Sequence, residues 1–307
     1  MREDNMEFSV LGPLRVSEQG HDCTPTAPKQ RRLLALLLLN ANQVVPTSTC
    51  IDELWENSPP NSALSTVQSY ILQLRKALST VPRIGSAQAA RGVLATRDGG
   101  YLLIVRNDEL DLRRFAALVR EGRALLRADD AAASAALGDA LSLWRGPALS
   151  NVQGGPVLRA HVAGLDEERV SVLEQRVDAD LRLGRHRDLN GELSVIAAQY
   201  PTHEYLHAQL MLALYRSGRR TQALGVAQKL RQVMHDELGL EPSPRIHDLY
   251  RAILLCDPVL DAHDGPDTVF ARAGSAPVRL SDAGPDHRDS MFSAGPADRS
   301  RLRQSKT

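Results

Sequence analysis

Apolar residues recur at helical spacing along most of the chain. The clearest case runs from Ala63 to Leu78, where Leu64, Val67, Ile71, Leu74 and Leu78 fall at steps of three and four. This spacing lines them along one stripe of an α-helix and predicts that the stripe faces a core. The opposite face is polar. It holds Ser62, Ser65, Thr66, Ser69, Gln73 and Lys76, flanked by Tyr70 and Arg75, and no acidic residue occurs from Ser62 to Leu78.

Upstream, Met6 to Cys23 contain short β-prone pieces broken by Gly12, Pro13 and Gly20, the pattern of a small antiparallel meander. Pro28 suits a first helical turn, and Leu33, Leu34, Leu36, Leu37 and Leu38 give the following helix a broad buried face that ends at Asn40. Lys29, Arg31 and Arg32 crowd its start, where positive charge opposes the helix dipole; phosphate contact and simple solvation both account for them. After Val44, Val45 and Pro46, Thr47 and Ser48 are candidate N-caps for a short helix through Ile51, Leu54 and Trp55. A polar loop of Glu56, Asn57, Ser58, Pro59, Pro60 and Asn61 joins it to the Ala63 helix. Val93 to Thr96, a turn at Asp98, Gly99 and Gly100, and Tyr101 to Val105 then read as a β-hairpin. Strands, three helices and a hairpin in this order describe a winged helix.

Between Asp111 and Leu255 nearly everything is helix-prone, with turns at Asp129, Gly146 to Pro156, Gly184, Pro201, Gly218 and Glu241 to Pro244. Gly184-Arg185 recurs as Gly218-Arg219, Leu181 is matched by Tyr215, Ala179 by Ala213 and Leu193 by Ala227. The offset of 34 residues is the tetratricopeptide period of one helical hairpin per repeat. The alternative is chance periodicity in an alanine- and leucine-rich segment. After Cys256 the composition turns to Asp, Gly, Pro, Ser and Arg without period, which predicts a disordered tail.

At 307 residues the chain has the length of about two domains, and its formal net charge is zero. The charge is unevenly placed. From Ala63 to Asn107, Arg75, Lys76, Arg83, Arg91, Arg97 and Arg106 stand against Asp98 alone, and such a local surplus is what contact with phosphates needs. The hydroxyls and amide of the Ala63 helix suit base edges in a major groove, and its cations suit phosphates. An ordinary basic surface helix is the competing reading. Cys23, Cys50 and Cys256 have no paired spacing, so a disulfide framework and a zinc cluster are not expected, and a reducing cytoplasm fits. The longest apolar run, Leu33 to Leu39, is too short to span a bilayer and no signal peptide precedes it, so a soluble protein is expected.

The strings KQRRLLALLLLNANQVV, IDELWENSPPNSALSTVQSYILQLRKAL and GGYLL resemble the N-terminal winged helix of the Streptomyces antibiotic regulatory protein family, itself similar to the OmpR-type DNA-binding domain. LSLWRGPAL, LDEERVSVLEQRVDADLRLGRH and QKLRQVMHDELGLEPSPRIHDLY resemble that family's bacterial transcriptional activation domain. The resemblance covers roughly Phe8 to Leu255. The chain departs from it at Gly99, where the family more often has proline, which implies a more mobile wing tip.

The expected fold is therefore mainly α with a small β component. It comprises an N-terminal winged helix-turn-helix over residues 1–107, an all-α tetratricopeptide-like domain over 108–256 and a disordered tail over 257–307. The resemblance implies a cytoplasmic, nucleoid-associated transcription activator of a secondary-metabolite gene cluster. Such a protein binds direct repeats in double-stranded DNA as a head-to-tail homodimer, recruits RNA polymerase and uses no cofactor. Ser65, Thr66, Ser69 and Gln73 are expected on base edges, Tyr70, Arg75 and Lys76 on the backbone, and Arg97 of the wing in the neighbouring minor groove or on phosphates. Thr47 and Ser48 are expected to offer backbone amides to a phosphate. By resemblance alone, Glu56 to Asn61 is the polymerase-contact loop. The alternative is a tetratricopeptide-type interaction module whose winged helix binds protein rather than DNA.

One string points elsewhere. His203-Glu204-Tyr205-Leu206-His207 matches the zinc-peptidase pattern of two histidines one turn apart with a glutamate base. The following Ala208-Gln209-Leu210 lacks the extended motif's glycine and third histidine, and Glu204 in a first helical turn already complements the helix dipole. Coincidence is the expectation. Phosphate-loop, nucleophile-elbow and receiver-domain patterns are also missing, so neither an enzyme nor a phosphorelay output is expected.

Overall fold

Alternation, not helical spacing, governs the first apolar residues, and Met6, Phe8 and Val16 turn to one side of a short sheet. The computed structural model describes residues 6–262 together with Thr268 and Val269. In it β1 (Met6–Ser9), β2 (Arg15–Glu18) and β3 (His21–Asp22) form the expected antiparallel meander, with Phe8 opposite Val16 and Ser17 opposite Asp22. Pro28 opens α1 (Pro28–Leu39), in which Leu33 to Leu38 are all buried because the helix is enclosed by neighbours. Its three cations are tied within the fold. Arg31 Nε donates to Pro25 O at 2.8 Å, Arg32 Nη1 donates to Glu53 O at 3.3 Å, and Lys29 lies over the Trp55 ring at 4.6 Å.

Next come β4 (Val44–Pro46), α2 (Thr47–Trp55), α3 (Ala63–Ser79), α4 (Ala87–Val93), β5 (Leu94–Arg97) and β6 (Gly100–Leu103). The second sheet runs β4-β6-β5, so β4, which has no strand signature of its own, becomes the third strand of the hairpin. A side chain at Gly100 would place its Cβ 2.2 Å from Val45 O, so only glycine lets β4 and β6 approach this closely. Helix α4 is an addition to the sequence reading. Ser86 caps it by accepting from the Ala89 amide at 3.1 Å. Thr47 is not an N-cap: Pro46 holds that position and Thr47 is the first helical residue.

Helices α5 (Asp111–Leu125) and α6 (Asp130–Ser142) pair with each other, and α6 packs along the later turns of α7 (Pro156–Arg182), where Ser134 Oγ donates to Asp180 Oδ1 at 2.7 Å. Then follow α8 (His186–Gln199), α9 (Glu204–Arg216), α10 (Arg220–Leu238) and α11 (Pro244–Leu255). The 34-residue offset has a structural counterpart. Gly184 and Gly218 both turn at positive φ, 75° and 77°, and the next amides make equivalent bonds, Arg185 to Asp180 O at 3.0 Å and Arg219 to Leu214 O at 2.8 Å. Ala179, Ala213, Leu181, Leu193 and Ala227 are buried, and Tyr215 is half-buried. The first residues of the expected disordered tail are ordered. A 3-10 turn at Pro258–Asp261 buries Leu260, whose carbonyl accepts from Arg216 Nε at 2.8 Å. Apart from Thr268 and Val269, the tail from 263 onward lies outside the described residues.

The hydrophobic core does not stop at residue 107. One cluster joins Phe8, Leu36, Val67, Ile71 and Leu103 to Phe115, Leu137, Trp144, Leu158 and Val172. A second cluster occupies the C-terminal helices, and α7, about 40 Å long, runs from one cluster to the other.

Two buried carboxylates seal the first cluster. Asp111 accepts from the amides of Val10 and Leu11 at 2.9 and 3.0 Å, and Arg145 stands 3.7 Å away. Burial pushes the Asp111 carboxyl above its ordinary range, while those amides and Arg145 pull it back. Glu53 of α2 is wholly buried. It accepts from Gly155 N at 2.5 Å and from Val157 N and Leu158 N at 3.0 Å, capping the start of α7 from roughly a hundred residues away. A Cβ at Gly155 would meet Glu53 O at 2.2 Å.

Glu53→Ala leaves these three amides without their acceptor, and we expect a loss of about 3 kcal/mol in urea denaturation, with Glu53→Gln recovering part of it. A loss below about 1 kcal/mol would remove Glu53 from this role.

Candidate nucleic-acid interface

Ala63, Val67, Ile71, Leu74 and Leu78 form the buried stripe of α3. Leu64, expected on that stripe, is 53 % exposed, because Ala63 takes the inward position and Leu64 sits about 100° further round the helix. The outward residues are Ser65, Gln68, Ser69, Leu72, Gln73 and Lys76, with Thr66 and Tyr70 half-buried at the edge. Tyr70 packs against the core.

The hydroxyl protons of this face are turned inward. Ser65 Oγ and Thr66 Oγ1 donate to Ser62 O at 3.0 and 2.8 Å, and Ser69 Oγ donates to Ser65 O at 2.9 Å. A hydroxyl so committed presents acceptor lone pairs to an incoming partner. The carbonyl oxygen of the Gln73 side chain accepts from Gln30 Nε2, which ties α1 to α3.

Arg75, expected on a DNA backbone, instead braces the hairpin. Its Nε donates to Leu94 O and its Nη2 to Thr96 Oγ1, both at 2.8 Å. Burial lowers its pKa, and the nearby charge of Arg91 lowers it further. Arg97 is exposed at the tip of the hairpin, where Nη1 donates to Thr96 O at 3.3 Å. Gly99 adopts φ 75°, a conformation closed to proline, and its carbonyl accepts from the Thr47 amide at 2.8 Å. This bond anchors the turn expected to be mobile and gives the Thr47 amide a partner within the fold. Ser48 is exposed at the same helix start.

The local surplus of positive charge is divided. Arg83 and Arg106 pair with buried Glu109 at 2.8 and 3.1 Å. Lys76, Arg91 and Arg97 are exposed on α3, α4 and the hairpin, and they are the candidate cations of this surface. Arg91 is legible in the sequence as part of the charge surplus but not as part of this surface, which Gln68 and Leu72 also join. Rotation about the helix axis places Leu72 on the side away from the buried stripe and Gln68 on its flank.

Glu56 to Asn61 are all exposed. The loop is held at its ends by Ser58 N to Trp55 O at 3.1 Å and Ala63 N to Pro60 O at 2.9 Å, and Glu56 pairs with Arg159 of α7 at 3.1 Å.

The peptidase-like string has another use. His203 precedes α9, Glu204 opens it, and the Glu204 carboxylate accepts from Ser243 N at 2.9 Å and from Ser243 Oγ, at the start of α11. His207 is buried, and burial lowers its pKa. Among the described residues no group of three or more His, Cys, Asp or Glu side chains converges to hold a metal ion.

Comparison with known proteins matches two families. Residues 21–103 match the transcriptional regulatory protein, C-terminal domain, and residues 110–254 match the bacterial transcriptional activator domain. The chain is 46 % identical over 267 residues to regulatory protein DnrI of Streptomyces peucetius, covering 87 % of this chain and 98 % of that one. It is 34 % identical over 255 residues to transcriptional regulator RedD of Streptomyces coelicolor, covering 83 % and 72 %. The structure of Mycobacterium tuberculosis EmbR in complex with a low-affinity phosphopeptide is similar with a TM-score of 0.78 and 32 % identity, over 89 % of this chain and 70 % of that one.

Replacing Arg75 by Ala should release the hairpin locally. Amide exchange across Leu94 to Leu103 should quicken about fivefold, equivalent to about 1 kcal/mol, with the rest of the chain unchanged, and Arg75→Lys should not restore it because lysine lacks the fork. Uniform or unaltered exchange would show that the brace does not hold the hairpin.

Proposed function

From the membership of this chain in the Streptomyces antibiotic regulatory protein family, a family of transcription regulators and not of enzymes, we propose how it acts on DNA. As a DNA-binding activator it reads direct repeats upstream of the promoters of a secondary-metabolite gene cluster, two protomers head to tail, and recruits RNA polymerase. It works in the cytoplasm at the nucleoid. The observation that carries this reading is α3, an acid-free helix exposed along one face and braced against a hairpin that exposes Arg97.

In this reading residues 1–107 form the DNA-reading unit and residues 108–256 the activation domain. Helix α3 enters the major groove, where Ser65, Ser69 and Gln73 meet base edges, with Thr66 beside them. Tyr70, Lys76 and the Ser48 end of α2 hold the backbone. Arg75 sets the angle between reading helix and hairpin, and Arg97 takes the adjacent minor groove or its phosphates. Arg91 adds a phosphate contact on the rim. The loop from Glu56 to Asn61 faces polymerase, and its pairing with Arg159 supports a link between that surface and the activation domain.

Footprinting on promoter fragments from the gene neighbourhood, across a salt series, tests this. A protected direct repeat is expected. Lys76→Ala should weaken all sequences alike and flatten the slope of log affinity against log salt by about 0.9, whereas Gln73→Ala should reduce base discrimination by about 1 to 3 kcal/mol. Absence of protection at low salt on every fragment would overturn the reading.

A further inference from the structure

Leu72 stands 62 % exposed on α3, more than any leucine or isoleucine in the described helices except Leu255. Single exposed leucines are common on protein surfaces and need no function. The position of this one is what matters. Leu72 follows Ser65 by seven residues and Ser69 by three and precedes Lys76 by four, so it lies on the stripe directly opposite the buried face.

Its neighbours on that stripe leave a specific gap in chemistry. Ser65 and Ser69 have turned their protons onto the helix and offer acceptors, while Lys76 offers only donors. Leu72 offers neither, and it is the bulky group at the middle of the exposed face. In the major groove one base alone presents an apolar feature, the C5-methyl of thymine. Resting on the DNA reading above, the geometry points to Leu72 as a specificity residue that packs against a thymine methyl in each half-site. A cytosine at that place lacks the methyl, so the discrimination comes from the lost apolar contact.

The test uses the full chain and a randomised duplex library at low salt. The enriched duplex is resynthesised with deoxyuridine replacing each thymine in turn, which deletes one methyl and leaves every hydrogen bond. The wild-type chain should lose about fourfold in affinity at one or two positions, the equivalent of about 0.8 kcal/mol for one buried methyl. Leu72→Ala, whose melting temperature should be unchanged because the side chain is exposed, should bind the thymine and deoxyuridine duplexes equally. Leu64→Ala, altering the other exposed leucine of α3, should keep the wild-type discrimination. An enriched site without thymine, insensitivity at every position, or discrimination that persists in Leu72→Ala or is lost in Leu64→Ala would overturn this role while leaving DNA reading intact. Failure of the wild-type chain to enrich any site would sink the DNA reading itself.

Discussion

The first turn of a helix carries amides with no partner inside the helix, and when that turn is buried something else must accept from them. In this protein the start of α7 is buried against α2, and Glu53 supplies the acceptor for Gly155, Val157 and Leu158. Much of the architecture follows from this placement. Because the cap comes from the middle of the winged helix, the helical domain is held to it at a defined angle, and Gly155 is needed for the close approach. The β1–β2 loop makes a second seam, where Asp111 holds the amides of Val10 and Leu11 while Asn151 accepts from Leu14 N at 2.6 Å. Between the seams lies one continuous core, in which Phe115 meets Trp144 edge-on at 5.7 Å and Arg169 covers the same tryptophan.

Elements defined by local periodicity were legible in the sequence. The stripe of α3, the proline start of α1, the hairpin and the paired turns at Gly184 and Gly218 depend on residues within a few turns of each other, and they appear where the spacing places them. What was not legible depends on partners distant along the chain. Glu53 carries no local signal of its role, and only α7, a hundred residues later, makes it a cap. Arg75 reads as a phosphate ligand until β5 is folded beside it. Leu64 fits the heptad-like spacing as well as Ala63 does, and only rotation about the axis of α3 separates them.

The same distinction explains the peptidase-like string. A carboxylate that accepts from backbone amides of another element is a recurrent device here: Glu53 serves α7, Asp111 the β1–β2 loop and Glu204 the start of α11. Charge-assisted bonds of this kind are stronger than neutral ones and fix the angle between elements as well as their distance. A pattern search sees histidine, glutamate and histidine at catalytic spacing. The fold commits the glutamate to Ser243 and buries His207, so those side chains serve packing between repeats.

This rigidity bears on the reading face. A helix that must choose among base sequences benefits from side chains already fixed before contact, because ordering them on binding would offset part of the gain. On α3 the serine and threonine hydroxyls are pinned to the helix, Gln73 is tied to α1 through Gln30, and Arg75 locks the hairpin alongside. The hydroxyls and the Gln73 amide of this face are thereby preorganised, and the long side chains of Lys76, Arg91 and Arg97 stand exposed. A phosphate contact through a lysine's point charge needs little orientation, whereas a contact to a base edge needs a fixed donor or acceptor. In the proposed function, the fixed polar centre suits sequence discrimination and the exposed cations suit general attraction to DNA.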